Sequence, residues 1–576
     1  MKIYTIIILF FFFSIIHAQK FITPFEKSDG IETATYFECI DYYKKLDAAF
    51  SSIKIITGDT TDAGYPLQLV MFSNGATFNP AIWHKQNKVV IMINNGIHPG
   101  EPDGIDASML FMRDVATGKI KMADNVVLAI IPVYNIGGCL NRNSFSRANQ
   151  NGPLSYGFRG NAQNLDLNRD FIKADSKDAK AFEKLFHWLN PDIFIDNHVS
   201  DGADYQHTMT LLTTQHNKLG GEIGDFLHDV FEPALFKSME EKKWTMCPYV
   251  NFEESDPGKG WIAFYDPPRY SSGYAALFST IAFVPETHML KPFAERVKST
   301  YAFMQTVAEQ ASVYANDIIE KRKASTQVIK KQKEFALTWS PDTTKFEYIN
   351  FKGYEAATKT SEVTGMQRLF YDHSKPFDKK VKFYNTYAAA QIVEKPAAYI
   401  IPQGWSDVIE RLKLNGVIME RFKNDTSIAV EYYHIDDYKS YTQPYEKHHR
   451  NYDIKLSTQK QMIHFLKGDY IIYTGQATDR YIVETLEPLG DDSFFSWNFF
   501  DAVLQEKEGY SAYRWEDLAA QYLQQHPELK QQLEEKKKAD TAFASSAAAQ
   551  LDFVYKHSPY YEPEHLRYPV YKIKSH

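Results

Sequence analysis

At 576 residues the chain is too long for one hydrophobic core, and its 44% hydrophobic and 24% charged residues strike a globular balance, so two or more folded units are expected. A formal net charge of −8 without any long Lys/Arg block excludes the electrostatic footprint of a nucleic-acid binder. Three cysteines, Cys39, Cys139 and Cys247, allow at most one disulfide and lack the spacing of a metal knuckle.

The chain opens on Lys2 and an almost unbroken apolar run over residues 6–16, followed by His17-Ala18 and polar Gln19-Lys20. This reads as a cleaved secretory signal over residues 1–18, because the run is shorter than the roughly 20 residues that span a bilayer. A secreted or periplasmic protein with no stable membrane span after cleavage is expected. No pro-segment is evident between Gln19 and the first strands.

Beyond the signal, helix-like and strand-like stretches alternate. Residues 39–50 are amphipathic, while 67–73 and 88–94 are apolar and strand-like. The 88–94 run leads through Asn95 into Gly96-Ile97-His98-Pro99-Gly100-Glu101, and residues 105–114 then carry apolar side chains at helical spacing. A strand over 126–133 follows. A helix over 176–189 precedes the apolar run 191–198, a buried strand that delivers His198 at its end. A further run, 280–286, closes on Glu286. The alternation predicts an α/β fold, in which sites collect outside the carboxyl ends of the strands.

Residues 295–336 look helical and become rich in Lys and Glu, a plausible exit from the first domain. Residues 345–387 are strand-like and rich in Tyr, 398–401 and 405–416 read as strand then helix, and 515–550 turn helical and charged. The aromatic run 494–500 reads as a core or interdomain interface. The expected organisation is a catalytic domain over 19–325 and an α/β or β-rich accessory region over 326–576. No chemical motif stands out after about residue 330.

His98-x-x-Glu101 by itself is a motif that chance supplies about once in a chain with 18 His. Its place at a strand end strengthens it, since a zinc site needs neutral imidazole and carboxylate oxygen at about 2.0 to 2.2 Å with one position left for water. One more ligand is required. His198 is preferred over His207, because it ends an apolar strand whereas His207 lies in a polar stretch. Asp166 offers the carboxylate that would fix the tautomer of His98, with Asp196 as a weaker candidate for the same task.

In order and approximate spacing, His98-x-x-Glu101, Asp166-Leu-Asn-Arg-Asp170, His198 and Glu286 in Phe283-Val-Pro-Glu-Thr resemble the carboxypeptidase A-like zinc metallopeptidases, over about residues 35–310. The resemblance implies a central mixed sheet of about eight strands flanked by helices, and one Zn2+ held by His98, Glu101 and His198. It further implies that Glu286 acts as general base, and that Asn168 and Arg169 grip the free C-terminal carboxylate of a peptide. Arg159 falls where the oxyanion-stabilising Arg is expected, with Arg147 as the fallback. Among Tyr265, Tyr270 and Tyr274, the candidates to cover the bound terminus are Tyr270 and Tyr274. Asn164 stands where the family carries a glycine, and Tyr134-Asn-Ile-Gly-Gly138 replaces its upstream Asn-Pro-Asp-Gly, so a different loop geometry is expected there.

The function these residues imply is a zinc metallocarboxypeptidase acting on peptide or protein C-termini. Two alternatives stay open: an amidase or deacylase acting on cell-wall peptides, and a catalytically inactive peptide-binding protein on the same scaffold.

Overall fold

The computed structural model describes residues 21–250 and 256–574, so the expected signal over residues 1–18 lies outside the described residues. Its main sheet contains β1 (Ile53–Thr60), β2 (Pro66–Phe72), β3 (Val89–Asn94), β4 (Val126–Ile131), β5 (Ile193–Asp196), β6 (His198–Ser200), β7 (Met209–Thr213), β8 (Met246–Pro248) and, after the short β9 (Trp261–Ile262), β10 (Ile281–His288). Across the sheet the order is β1-β2-β4-β3-β5-β10-β7-β8, with β6 continuing the line of β5 beside β10, which gives the eight positions and mixed pairing expected. The centre is parallel: β3 pairs with β4 and β5, and β5 with β10. That is why Val89-Val-Ile-Met-Ile-Asn94 and Val126-Val-Leu-Ala-Ile-Ile131 are continuous apolar runs, buried on both faces.

Helices cover both faces. On one, α1 (Tyr36–Ala49), α2 (Asp103–Ala116) and α4 (Phe293–Val313) bury Met109, Phe111, Phe303 and Val307 against Ile91 and Ile93 of β3. On the other, α3 (Lys177–Leu189) packs Phe182 and Phe186 against Val90 and Met92. Ser176 starts α3 by accepting a hydrogen bond from the Ala179 amide, and Asn190 ends it at φ +48°, a left-handed stop that Asn tolerates.

The stretch expected to be helical over 295–336 is α4 followed by α5 (Ala315–Lys331), and residue 325, the expected end of the first domain, lies within α5. Strands β11 (Glu334–Pro341), β12 (Glu347–Thr360), β13 (Gln367–Tyr384) and β14 (Tyr387–Glu394) make two small sheets. A six-stranded sheet follows, in the order β16 (Glu420–Arg421), β19 (Tyr470–Tyr473), β15 (Ala398–Ile401), β20 (Tyr571–Ile573), β17 (Thr426–Ser440), β18 (Asn451–Phe465). This C-terminal sheet does not stand apart: Tyr399, Ile401 and the aromatic run Phe494, Phe495, Trp497 and Phe500 belong to the same core as α3 and β3. The run is therefore core. Residues 515–550 are helical as expected, with α8 (Ala512–Gln525) and α9 (Pro527–Ala539) packing around Trp515 and Leu533, away from the sheets; α6 (Ser406–Leu414) and α7 (Asp479–Leu486) flank the C-terminal sheet.

Two local readings change. The run 191–198 is two strands rather than one, because Asn197 breaks the ladder to donate its side-chain amide to Asn95 Oδ1 at 2.7 Å. All three cysteines are buried free thiols, so the single disulfide that three cysteines allowed is not formed. Among the described residues no helix is long and apolar enough to cross a membrane.

Candidate metal centre and active site

The site is assembled where β3, β5–β6 and β10 end. Gly96, at φ +63°, turns the chain out of β3 towards His98, and Ile105 lies so close to its α-carbon that an added Cβ would sit 3.0 Å from Cδ1. The turn through Pro99 and Gly100 brings Glu101 back beside His98, with the Glu101 amide donating to the His98 carbonyl at 2.8 Å. Gly100 is required by a close approach: a Cβ there would lie 2.5 Å from Arg147 Nε. His198 begins β6 and stands directly opposite Glu286 of β10 in the parallel register, so one ladder rung fixes both.

His98, Glu101 and His198 are 2%, 3% and 4% exposed, and one candidate ligand atom from each lies within 4.8 Å of the others. His98 Nδ1 is 3.1 Å from Glu101 Oε1, and His198 Nδ1 is 3.2 Å from Glu101 Oε2. Each imidazole turns its other nitrogen to a carboxylate: His98 Nε2 to Asp166 Oδ1 at 2.9 Å, His198 Nε2 to Asp196 Oδ2 at 3.0 Å. Asp166 thus stands where it was expected. Asp196 is a correction, since it orients His198 rather than competing for His98, and Asn94 holds it by donating to Oδ1 at 2.9 Å. Its place two residues before His198 on the same strand face was the available signal.

The donor set fits a zinc ion. His98 Nδ1 is buried and, although 3.1 Å from Glu101 Oε1, is not in hydrogen-bond geometry with it, and two imidazoles with a carboxylate match the ligand preferences of a hydrolytic zinc. Glu101 is further held by the Val199 amide at 2.9 Å and by Arg147.

Charge is balanced tightly here. Burial pushes the Glu101 carboxyl up, but Arg147, His98 and His198 outweigh it and hold it well below the usual range. The same holds for Asp166, where His98, Arg159 and Arg169 overcome burial. Burial opposes protonation of His198, yet Asp196, Glu101 and Glu286 raise it well above the ordinary histidine value. Glu286, opposite His198 on β10, is pushed up to about 8 by burial and by the neighbouring Glu101 and Asp196, against the pull of His198 and Arg159. A carboxyl raised into this range suits proton exchange near neutral pH.

Both arginines weighed from the sequence reach the centre. Arg159 bonds Asp166 Oδ2 at 2.9 Å, lies 3.7 Å from Glu101 Oε1, and its side chain stays 45% exposed. Arg147 is committed to Glu101 directly and is more deeply buried. Asn135 fixes the loop between them, donating to the carbonyls of Ile97 and Arg159 and accepting from the Gly138 amide at 2.7 Å. Asn164 adopts φ +60°, a left-handed conformation that Asn tolerates better than most residues.

Asn168 and Arg169 lie on a short 3-10 turn begun by Asp166, whose side chain accepts from the Asn168 amide at 2.9 Å. Asn168 Oδ1 is buried without a partner. The Arg169 guanidinium lies over the Tyr270 ring, 4.4 Å from its centroid, and its Nε donates to the Tyr445 hydroxyl at 2.7 Å. Tyr270 is therefore brought to the site. Tyr274 is not: its side chain is fully buried among Phe171, Phe186 and Phe278, and its hydroxyl bonds Asn415 Oδ1 at 2.7 Å. It sits in the short helix Ser271–Ala276, with its ring turned into the aromatic core beside α3. Tyr265 stacks on Tyr387. His207 is occupied by the Thr245 carbonyl and the Lys352 amide. Tyr445 and Glu446 were not legible as site residues, since nothing in the sequence ties a Tyr-Glu pair to an Arg 276 positions earlier.

Residues 39–208 match the family model for zinc carboxypeptidase. Carboxypeptidase 2 of Trichophyton rubrum is 20% identical over 457 residues, spanning 75% of this chain and 77% of the fungal protein, and carboxypeptidase 2 of Trichophyton tonsurans is 20% identical over 435 residues, spanning 71% and 74%. Carboxypeptidase A from Helicoverpa armigera, at 15% identity, overlays 49% of this chain and 74% of its own with a TM-score of 0.37. The matched segment contains His98, Glu101 and His198, and over it this chain is similar to the zinc carboxypeptidases.

Proposed function

We propose that this protein is a zinc-dependent metallocarboxypeptidase that hydrolyses the C-terminal peptide bond of peptides or proteins. The observation that carries the reading is the buried His98–Glu101–His198 cluster, with each imidazole anchored by its own aspartate and Glu286 across the rung from His198. When bound, zinc supplies Lewis-acid polarisation of the scissile carbonyl and acidifies a water at the site. Glu286, across the rung from His198, accepts the proton of the attacking water and returns it to the departing amine. Arg159, braced by Asp166, offers its exposed guanidinium edge to the oxygen that gains charge. Arg169 and Asn168 take the terminal carboxylate, Arg169 through the planar fork that matches two oxygens at once, with Tyr270 packed on the guanidinium face. The charged start and apolar run before residue 18 support export, secreted or periplasmic.

The test uses the purified full chain on a blocked dipeptide with a free C-terminal carboxylate and on the same dipeptide as its C-terminal amide. Turnover of the acid that disappears on chelation and returns with zinc, with the amide hydrolysed at least ~10-fold more slowly for want of a charged partner to Arg169, is the expected result. Equal hydrolysis of acid and amide would contradict it and favour the amidase alternative.

A further inference from the structure

The longest hairpin of the C-terminal sheet, β17–β18, ends against the catalytic cleft. Its tip is closed by two backbone hydrogen bonds between Tyr445 and His448, of 2.8 and 3.1 Å, around Glu446 and Lys447 at φ +48° and +76°. A two-residue turn with both central residues left-handed ordinarily takes Asn or Gly, so a Glu-Lys pair there is a strained choice that surrounding contacts must hold. The catalytic region supplies them: Arg169 Nε donates to the Tyr445 hydroxyl at 2.7 Å, the Asp166 amide to Glu446 Oε2 at 2.8 Å, and His448 Nε2 meets Asp175 Oδ2 at 2.7 Å. From behind, Trp497 stacks on the Tyr445 ring at 6.1 Å and 20°. Asp166 is the shared point, with its amide on the tip and its carboxylate on His98.

We propose that Tyr445 is a substrate-binding residue, delivered by the C-terminal region to the pocket in which Arg169 holds the substrate carboxylate. This rests on the carboxylate-binding reading of Arg169. The phenol oxygen accepts from Arg169, which leaves its own proton free to donate to an oxygen that Arg169 engages, and the side chain is 36% exposed, so solvent and ligand reach it. Recognition of a free C-terminus is then divided between the family domain, through Arg169, and residues 441–450 outside it.

The experiment measures kcat and KM on the blocked dipeptide acid for the full chain and for Tyr445→Phe, Arg169→Gln and Tyr452→Phe. Tyr452 stacks on Tyr441 in the same hairpin, away from Arg169, and its variant controls for loss of a hairpin hydroxyl. Tyr445→Phe raises KM about 10-fold with kcat within about 3-fold, as loss of one hydrogen bond to a charged group does, while Tyr452→Phe changes neither and both keep their thermal midpoint. An unchanged KM in Tyr445→Phe beside a raised KM in Arg169→Gln overturns the proposal alone. An unchanged KM in Arg169→Gln overturns the carboxylate reading and the proposal with it.

Discussion

The carboxyl ends of β3, β5–β6 and β10 and the tip of the β17–β18 hairpin face the same cleft, but they are held there by opposite means. The strand ends are buried on both sides, and each ligand is placed by a local network: the tight turn at Gly100, the His198–Glu286 rung, and an aspartate behind each imidazole. The hairpin is only half-buried along much of its length, turns through two left-handed non-glycine residues, and its tip is tied to the site by a few long-range polar bonds. A metal and a proton acceptor need atoms fixed to fractions of an ångström, which packing supplies. A pocket wall that meets varied substrates tolerates adjustment, and separable polar bonds give it that. Damage at the strand ends is therefore expected to remove chemistry, and damage at the tip to change recognition.

The largest effect that separates the two regions comes from His198→Ala, which loses stoichiometric zinc in metal analysis and at least ~10³-fold in kcat/KM, because the ion and its activated water go together. Retained metal and turnover would place the centre elsewhere. Next is Arg296→Ala beneath the cleft. Arg296 is fully buried, bonds Asp103 at 2.9 Å and reaches the carbonyls of Asn151, Gly152, Met289 and Lys291, while Asp103 accepts from Thr287, the neighbour of Glu286. Its removal strands a buried carboxylate and costs about 3–5 kcal/mol in denaturant unfolding. A loss within experimental error would show that the strand ends do not depend on this brace.

Asp196→Asn is smaller: zinc affinity, read by chelator competition, falls about 10–100-fold while the fold persists, because the imidazole keeps its place but loses its anchoring charge. The smallest effect belongs to the hairpin. Burial pushes the Asp175 carboxyl up, but His448 and Lys173 win and hold it well below the ordinary range. A depressed folded-state value means that its stabilisation is complete above the unfolded value of about 3.9 and is lost as pH falls below it. The protection factors of amides 441–450 against hydrogen exchange, taken relative to the intrinsic rate at each pH, should fall with acid in that window for the native chain, and Asp175→Asn should flatten the dependence; identical acid profiles would break the link between Asp175 and the tip.

The same contrast separates what is legible in the sequence from what is not. His98, Glu101, His198 and Glu286 are legible because each terminates or follows an apolar run whose length and flanks announce a buried strand, and the family pattern then orders them. Asp166, Asn168 and Arg169 follow from that pattern. Tyr274 misleads because a tyrosine near a predicted loop looks the same whether its ring turns to the cleft or, as here, into the aromatic core beside α3. Thr426-Ser-Ile-Ala-Val-Glu alternates as a half-buried strand does, with Val430 and Tyr432 buried and Ile428 packed beside them, but that alternation says nothing about where the tip of the β17–β18 hairpin docks. Tyr445 carries no sequence signal at all, since its role depends on a tertiary contact and not on any local spacing.

The measurement that tests the central claim most directly is zinc content and turnover of Glu286→Gln on the blocked dipeptide acid. One zinc per chain is expected, as in the native protein, with kcat lower by about 10²–10⁴-fold, since Gln keeps the shape but cannot take the proton. Native turnover with zinc in place would contradict it.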